Sequence, residues 1–420
     1  MPRIDAARLL SDLHQLRTIG AQGRGVVRPA FSAADMEARR WLKRRYEDAG
    51  LEATIDGVGN VLGRSRNSGK ALLMGSHSDT QPTGGWLDGA LGVIYALEVV
   101  RALAADSATR ALPVDAVSFQ DEESRFVGCL GSRSLTGALA PEIEEGAADS
   151  HGVTLADALR EAGLANVPRL HLARERYAGF IEAHIEQGPH LEDAGLKIGV
   201  VTGIVGLRSI RFIFRGQQNH AGTTMMARRR DATTALYELA HRINVELPKV
   251  AAERSVWTMG RLRVEPNATS IVPGYAELDL QFRDQSEAPL DAFEAIVARL
   301  VSEINARGGV TIEAVPTRAP IAPTRMDAAL QAHVETAAER HAPGKWQRMP
   351  SGAFHDAGIV SASIPSAMLF IPSLGGISHD FAEDSREEDI VLGCQVLADA
   401  AASILADGAT GHPIDVDPLR

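Results

Sequence analysis

The sequence predicts an α/β protein in which one α/β domain is interrupted by an α+β insertion. Three observations carry this. Short, nearly solid apolar runs stand at Ala71–Gly75, Val114–Phe119 and Ser366–Ile371, as in strands buried on both faces of a sheet. The middle of the chain instead alternates apolar and polar residues, the period of a sheet with one face covered. Pro316, Pro320 and Pro323 then mark an extended exit from that middle region.

The elements follow in order. Leu91–Leu103 is mostly apolar and reads as a buried helix behind Asp88-Gly89. Residues 136–175 read as loops with one helix near Leu155–Ala162. Ile210, Phe212 and Phe214 share one face of a strand over Ser209–Arg215, and Ala276–Arg283 alternates strictly. A helix is expected over Thr233–Val245. Another over Asp291–Asn305 carries Phe293, Ile296, Val297, Leu300, Val301 and Ile304 as one stripe, closed by Gly308-Gly309. Asp389–Leu405 reads as a largely buried helix. The expected boundaries are 1–208 and 321–420 for the split domain and 209–320 for the insertion.

Composition narrows the function. With 420 residues, 45% hydrophobic and 23% charged, the chain is an ordinary globular one of two or three domains. A net charge of −11 without a basic run argues against nucleic acid as a partner. No unbroken apolar run of membrane-spanning length and no signal-peptide pattern is visible, so the expectation is a cytoplasmic protein with no membrane partner. Two cysteines exclude a disulfide framework and a four-thiolate metal site. Thirteen histidines beside many carboxylates leave a hydrolytic metal site open.

Four segments concentrate that chemistry. Met74–Thr80 and Trp86–Ala90 bring His77 and Asp88 to the end of a buried strand, where α/β sheets place their ligands. The plainer alternative is a loop histidine and a helix-capping aspartate. Phe119–Phe126 empties a second strand into Asp121, Glu122 and Glu123. Three adjacent acids repel unless a cation or arginine is near. Neighbouring glutamates on extended chain point opposite ways, so one can bind metal while the other takes a proton from water. A solvated acidic turn is the alternative. Ile181–Pro189 holds His184, and Gly375–Glu383 holds His379 behind the third solid strand.

Together these motifs resemble the di-metal amidohydrolases of the N-carbamoyl-L-amino acid hydrolase, β-ureidopropionase and allantoate amidohydrolase group, a branch of the aminoacylase/carboxypeptidase superfamily. Asn219–Thr224, Arg230-Asp231-Ala232, Ser351-Gly352 and His355-Asp356-Ala357 extend the resemblance over most of the chain. It implies a di-zinc-peptidase-like catalytic domain whose insertion is a lid and dimerisation module, and hence a homodimer. It implies two divalent ions, Zn or Mn, with Co or Ni also compatible. His77 and His184 would hold one, Glu123 and His379 the other, with Asp88 bridging. Glu122 would be the general base. His220 would help bind the scissile carbonyl at the partner subunit's site, and Arg283 would clamp a substrate carboxylate. Gln187 and His355 would line the pocket. The implied reaction splits the linear C–N bond of an N-carbamoyl-L-amino acid or similar ureido acid. Allantoate or another ureide, or an N-acyl amino acid, is the alternative substrate, and a silent binding relative is the alternative class. Three departures stand out. Ser124 replaces the usual Gly after the Glu pair, Met225 stands at a common proline, and Ser270 occupies a usual Asn position, so that either Asn267 compensates or the substrate contacts differ.

Overall fold

A computed structural model describes residues 1–409, so positions 410–420 of the expected last segment lie outside the described residues. The chain forms two compact units, one of residues 1–202 with 326 onward and one of 203–325.

The first unit is built on a mixed sheet. Its strands run in the order Ile198–Ile204, Ser366–Ile371, Tyr177–Ile185, Ala71–His77, Val114–Phe119, Val61–Arg64, Glu52–Ile55, and Trp346–Ser351 pairs with Ile198–Ile204. The four central strands, from 366–371 to 114–119, are parallel to one another, while 366–371 with 198–204, 114–119 with 61–64, and 61–64 with 52–55 pair antiparallel. Ala71–His77, Val114–Phe119 and Ser366–Ile371 are buried at every residue. This is why they read as solid apolar runs: both faces are covered. Helix Ala90–Ala105 packs on the two strands 71–77 and 114–119, and helices Ala6–Thr18 and Glu387–Ala409 pack against it. Burying a leucine or isoleucine in such a core contributes roughly 1.5–3 kcal/mol. Leu91, Ile94, Leu97, Ile371, Ile390 and Leu397 all lie in this one cluster.

With a mean hydropathy of 1.6, the stretch Glu387–Asp407 is long and apolar enough to cross a membrane, although polar residues interrupt it. It is instead mostly buried, as a core helix. The 136–175 region holds the expected helix at Leu155–Glu161 and a further one at Pro141–Glu145. The latter has no buried residue and so no apolar stripe to read.

The second unit is an antiparallel sheet in the order Val256–Glu265, Tyr275–Asp284, Gly206–Arg215, Thr311–Pro316. Helices Ala232–Glu246 and Glu287–Ala306 pack on it. Phe212, Phe214, Ala276, Leu278, Leu280 and Phe282 pack with Leu290, Phe293, Val297, Leu300 and Ile304 in one core. The alternating polar residues form cross-strand ion pairs: Arg211 holds Asp279 at 2.7 and 2.9 Å, and Arg261 reaches Glu277 at 2.8 Å.

Candidate functional site

In the first unit the strand ends converge as α/β topology requires. His77 closes its strand and pairs in register with Phe119, so the chain that follows carries Glu122 and Glu123 away beside it. His184 lies near the end of the next parallel strand, opposite Phe370. The turn before helix 90–105 delivers Asp88. Gly89 (φ 64°) ends that turn, and a Cβ there would lie 2.5 Å from the His77 ring. Only glycine gives both the left-handed backbone and the room.

Asp88 is the centre of the arrangement. Its Oδ1 lies 3.0 Å from His184 Nε2 and 3.5 Å from His77 Nε2. Its Oδ2 lies 3.3 Å from His379 Nε2, which is 3.6 Å from Glu123 Oε2. Two groups able to hold a metal ion result, His77–Asp88–His184 and Asp88–Glu123–His379. Donors bound at about 2.1 Å in tetrahedral geometry sit about 3.4 Å apart, so the spacing fits a divalent pair. The imidazoles of the first group are oriented for it. His77 Nδ1 lies 3.1 Å from the Asp79 carbonyl and His184 Nδ1 2.8 Å from that of Ile185. Each Nδ1 therefore carries a proton, and Nε2 faces inward.

The charge environment is that of a crowded cation site. Burial opposes the charge on Asp88, but its bonds to His184, His379 and His77 outweigh this and hold it well below the usual carboxylate range. Burial, then Asp88, pushes Glu123 up to about 7. The Asp88 contact raises His379 to about 9. Burial, with Glu123 and Asp356 adding to it, lifts Glu122 well above an ordinary glutamate. Protons and imidazolium charge balance acids that cations would otherwise balance.

Glu122 touches the same cluster from the side. Its Oε2 lies 3.6 Å from His77 Nε2, and its Oε1 is 3.8 Å from the Cys129 thiol, which donates to it. Glu123 is held from behind: Gln81 Nε2 donates to its Oε2 at 2.8 Å, and its backbone N–H donates to Asp79. Gln187, expected to line a pocket, donates from Nε2 to Asp88 Oδ2 at 2.9 Å. His355 is buried, packs edge-on against His184 with ring centroids 4.7 Å apart, and shares a 2.8 Å hydrogen bond with Ser351. Burial, then the positive charge of His184, holds its pKa well below the ordinary value, so it is neutral.

Asp121, Ser124, Cys129, Gln187 and His379 all have φ between 54° and 67°. Left-handed backbone in residues other than glycine gathers where geometry is over-determined. At Ser124 (φ 67°) this explains why a glycine is usual there. Replacing Ser124 by Gly relieves strain of order 1 kcal/mol, partly offset by greater freedom of the unfolded chain. A gain in stability of up to about 1 kcal/mol is expected in chemical unfolding. A loss of that size would mean that the serine side chain holds the loop.

The remaining expected residues belong to the second unit. His220 pairs with Ile271 on a two-residue strand, and the Ala221 N–H donates to the Ser270 carbonyl. Its Nδ1 accepts from the N–H groups of Gly222 (3.0 Å) and Thr223 (3.2 Å), so the ring proton is on Nε2. His220, Asn267 and Ser270 are exposed, and Arg283 is half-buried with its guanidinium against Gln281 Oε1.

Sequence reasoning missed Glu383, Ser378 and Cys129. Glu383 is 2% exposed, and its Oε1 accepts from the N–H groups of Leu87 and Asp88. Its partners lie 296 and 295 positions away. The one signal was an acid four residues after His379.

The model of peptidase family M20/M25/M40 matches residues 73–403, a span that contains every one of these side chains. The chain belongs to that family. Members of peptidase family M20/M25/M40 are metal-dependent hydrolases, in keeping with the two ligand groups. Within it, this chain is similar to the N-carbamoyl-L-amino acid amidohydrolase of Geobacillus stearothermophilus, 35% identical over 94% of this chain and 97% of that protein. It is 32% identical to the allantoate amidohydrolase of Bacillus subtilis, over 89% of this chain and 92% of the relative. Among solved structures, an amidase of the hydantoinase/carbamoylase family from Burkholderia phymatum matches with a TM-score of 0.91 and 51% identity, over 97% of this chain and 99% of that one.

Proposed function

We propose that this protein is a metal-dependent amidohydrolase that cleaves the linear C–N bond of an N-carbamoyl-L-amino acid or a similar ureido acid. One molecule of water is consumed, and the products are the amino acid, CO2 and ammonia. The observation that carries the reading is the sharing of Asp88 between two ligand groups, with the Glu122 carboxylate beside one of them. The names of the relatives support the substrate class.

His77, Asp88 and His184 would hold one ion, and Asp88, Glu123 and His379 a second, Zn or Mn by donor type. Such ions, when bound, polarise a scissile carbonyl and lower the pKa of water. Glu122, nearly enclosed, 3.6 Å from His77 Nε2 and outside both ligand groups, takes the proton of the attacking water and passes it to the leaving nitrogen. His220 donates from Nε2 to the carbonyl oxygen at the partner subunit's site. Arg283, with Asn267 and Ser270, recognises the substrate carboxylate, since guanidinium pairs with carboxylate bidentately. Gln187 and His355 steady Asp88 and His184. Homodimerisation through the inserted unit and a cytoplasmic setting complete the reading. Two buried free cysteines suit a reducing compartment.

A second reading, hydrolysis of allantoate, is favoured by the Bacillus subtilis relative. One experiment separates them. The metal-loaded protein is offered N-carbamoyl-L-amino acids, N-carbamoyl-β-alanine, allantoate, and N-acetyl and N-formyl amino acids. Ammonia release fastest from N-carbamoyl-L-amino acids supports the proposal. Fastest release from allantoate selects the second reading, and turnover of only the N-acyl compounds, without ammonia, overturns both.

A further inference from the structure

We propose that Glu383 is a positioning residue that fixes Asp88 with one carboxylate oxygen toward each ligand group. The inference deepens the two-metal reading and rests on it. Asp88 can serve both groups only if its backbone and its side chain are both held. Glu383 reaches each. Its Oε1 accepts from the N–H groups of Leu87 at 3.1 Å and Asp88 at 3.0 Å. Its Oε2 lies 2.8 Å from the Ser378 hydroxyl, which is itself 3.2 Å from Asp88 Oδ2. Gln187 Nε2 completes the ring at 2.9 Å from Asp88 Oδ2 and 3.2 Å from Ser378 Oγ.

The close fit of the turn around this carboxylate argues for a built feature. A Cβ on Gly85 would stand 2.0 Å from Glu383 Oε1, so the turn has room for the carboxylate only because position 85 has no side chain. The next residue repeats the link, with the Trp86 indole N–H donating to Asp384 Oδ1 at 3.2 Å. Glu383 is also carried by the segment that carries His379, through the bond from its own N–H to the Asp380 carbonyl. One buried carboxylate therefore ties the bridging ligand to the loop that supplies a ligand of the second group.

Outer partners of metal ligands typically contribute 10–100-fold in metal affinity. The test uses full-length protein stripped of metal, with Mn2+ affinity read by chelator competition and melting of the metal-free protein read in parallel. Glu383→Ala should weaken Mn2+ binding about 10–100-fold. Glu383→Gln, whose Oε1 still accepts both amide protons, should restore most of that loss. Glu383→Asp, too short to span the amides and the Ser378 hydroxyl, should resemble the alanine variant, and it carries the test if the alanine variant fails to fold. Parent-like Mn2+ affinity in Glu383→Ala or Glu383→Asp overturns the proposal, including where melting falls, since that is a structural role alone. The readout needs no substrate. A protein that hydrolyses no ureido acid but shows these affinities would fail the functional reading and uphold this one.

Discussion

Replacing Glu122 by Gln lowers turnover by about 10²–10⁴-fold and leaves the metal content at the parent level. The side chain is of the same size and is nearly enclosed, with 10% of it exposed. Gln can keep the contact with the Cys129 thiol, because its Oε1 still accepts. What it cannot do is take a proton. Glu122 faces the first ligand group at His77, 3.6 Å away, and belongs to neither set of candidate ligands. Removing its charge should therefore spare the ions. Turnover on the best substrate of the panel and metal per chain, measured on the same preparation, check this. Parent-level turnover would remove Glu122 from the role of base. A matching loss of metal would make it a ligand instead.

Asp88→Ala should empty both ligand groups and abolish measurable turnover. Each group would retain two donors, His77 with His184 and Glu123 with His379, too few for a stable site. The loss of affinity should exceed the roughly 10–100-fold that an outer partner contributes. The truncation also removes the acceptor that Asp88 Oδ2 gives the Gln187 amide, while the Ser378 hydroxyl keeps its bond to Glu383, at a cost of about 0.5–1.5 kcal/mol for the one hydrogen bond lost. Metal per chain after dialysis, with a melting curve of the metal-free protein, reads both effects. Parent metal content in this variant would refute the shared-carboxylate arrangement.

What the sequence revealed follows from what makes a pattern. Val114–Phe119 and Ser366–Ile371 were legible to the residue because both faces are buried. Tyr275–Asp284 was legible because one face is. Val256–Glu265 was not. It is an edge strand, mostly exposed, with a shift of register between Thr258 and Arg261 that breaks its alternation. Helix Ala33–Asp48 hid because it buries Asp35 and Arg39 along with its apolar residues, paired to each other at 2.9 Å. Of the candidate site, the residues proposed as ligands sit in short polar segments directly after solid strands, where their residue types stand out in the sequence. Gln187 was found for another reason, yet it bonds Asp88. Glu383 and Ser378 act by bonding segments nearly three hundred positions distant, and no local pattern encodes such a partner.

The place of one strand has a consequence for how the chain comes to be folded. Ser366–Ile371 lies between Tyr177–Ile185 and Ile198–Ile204 in the sheet. During synthesis the strands on either side of that gap emerge long before the strand that fills it. Until then Tyr177–Ile185 presents a bare, apolar edge, the kind of surface that pairs with the wrong chain. The second unit, contiguous from 203 to 325, needs nothing downstream to close its own sheet. It should acquire structure while the first unit still waits, and the late, long-range closure of the first should set the pace of folding.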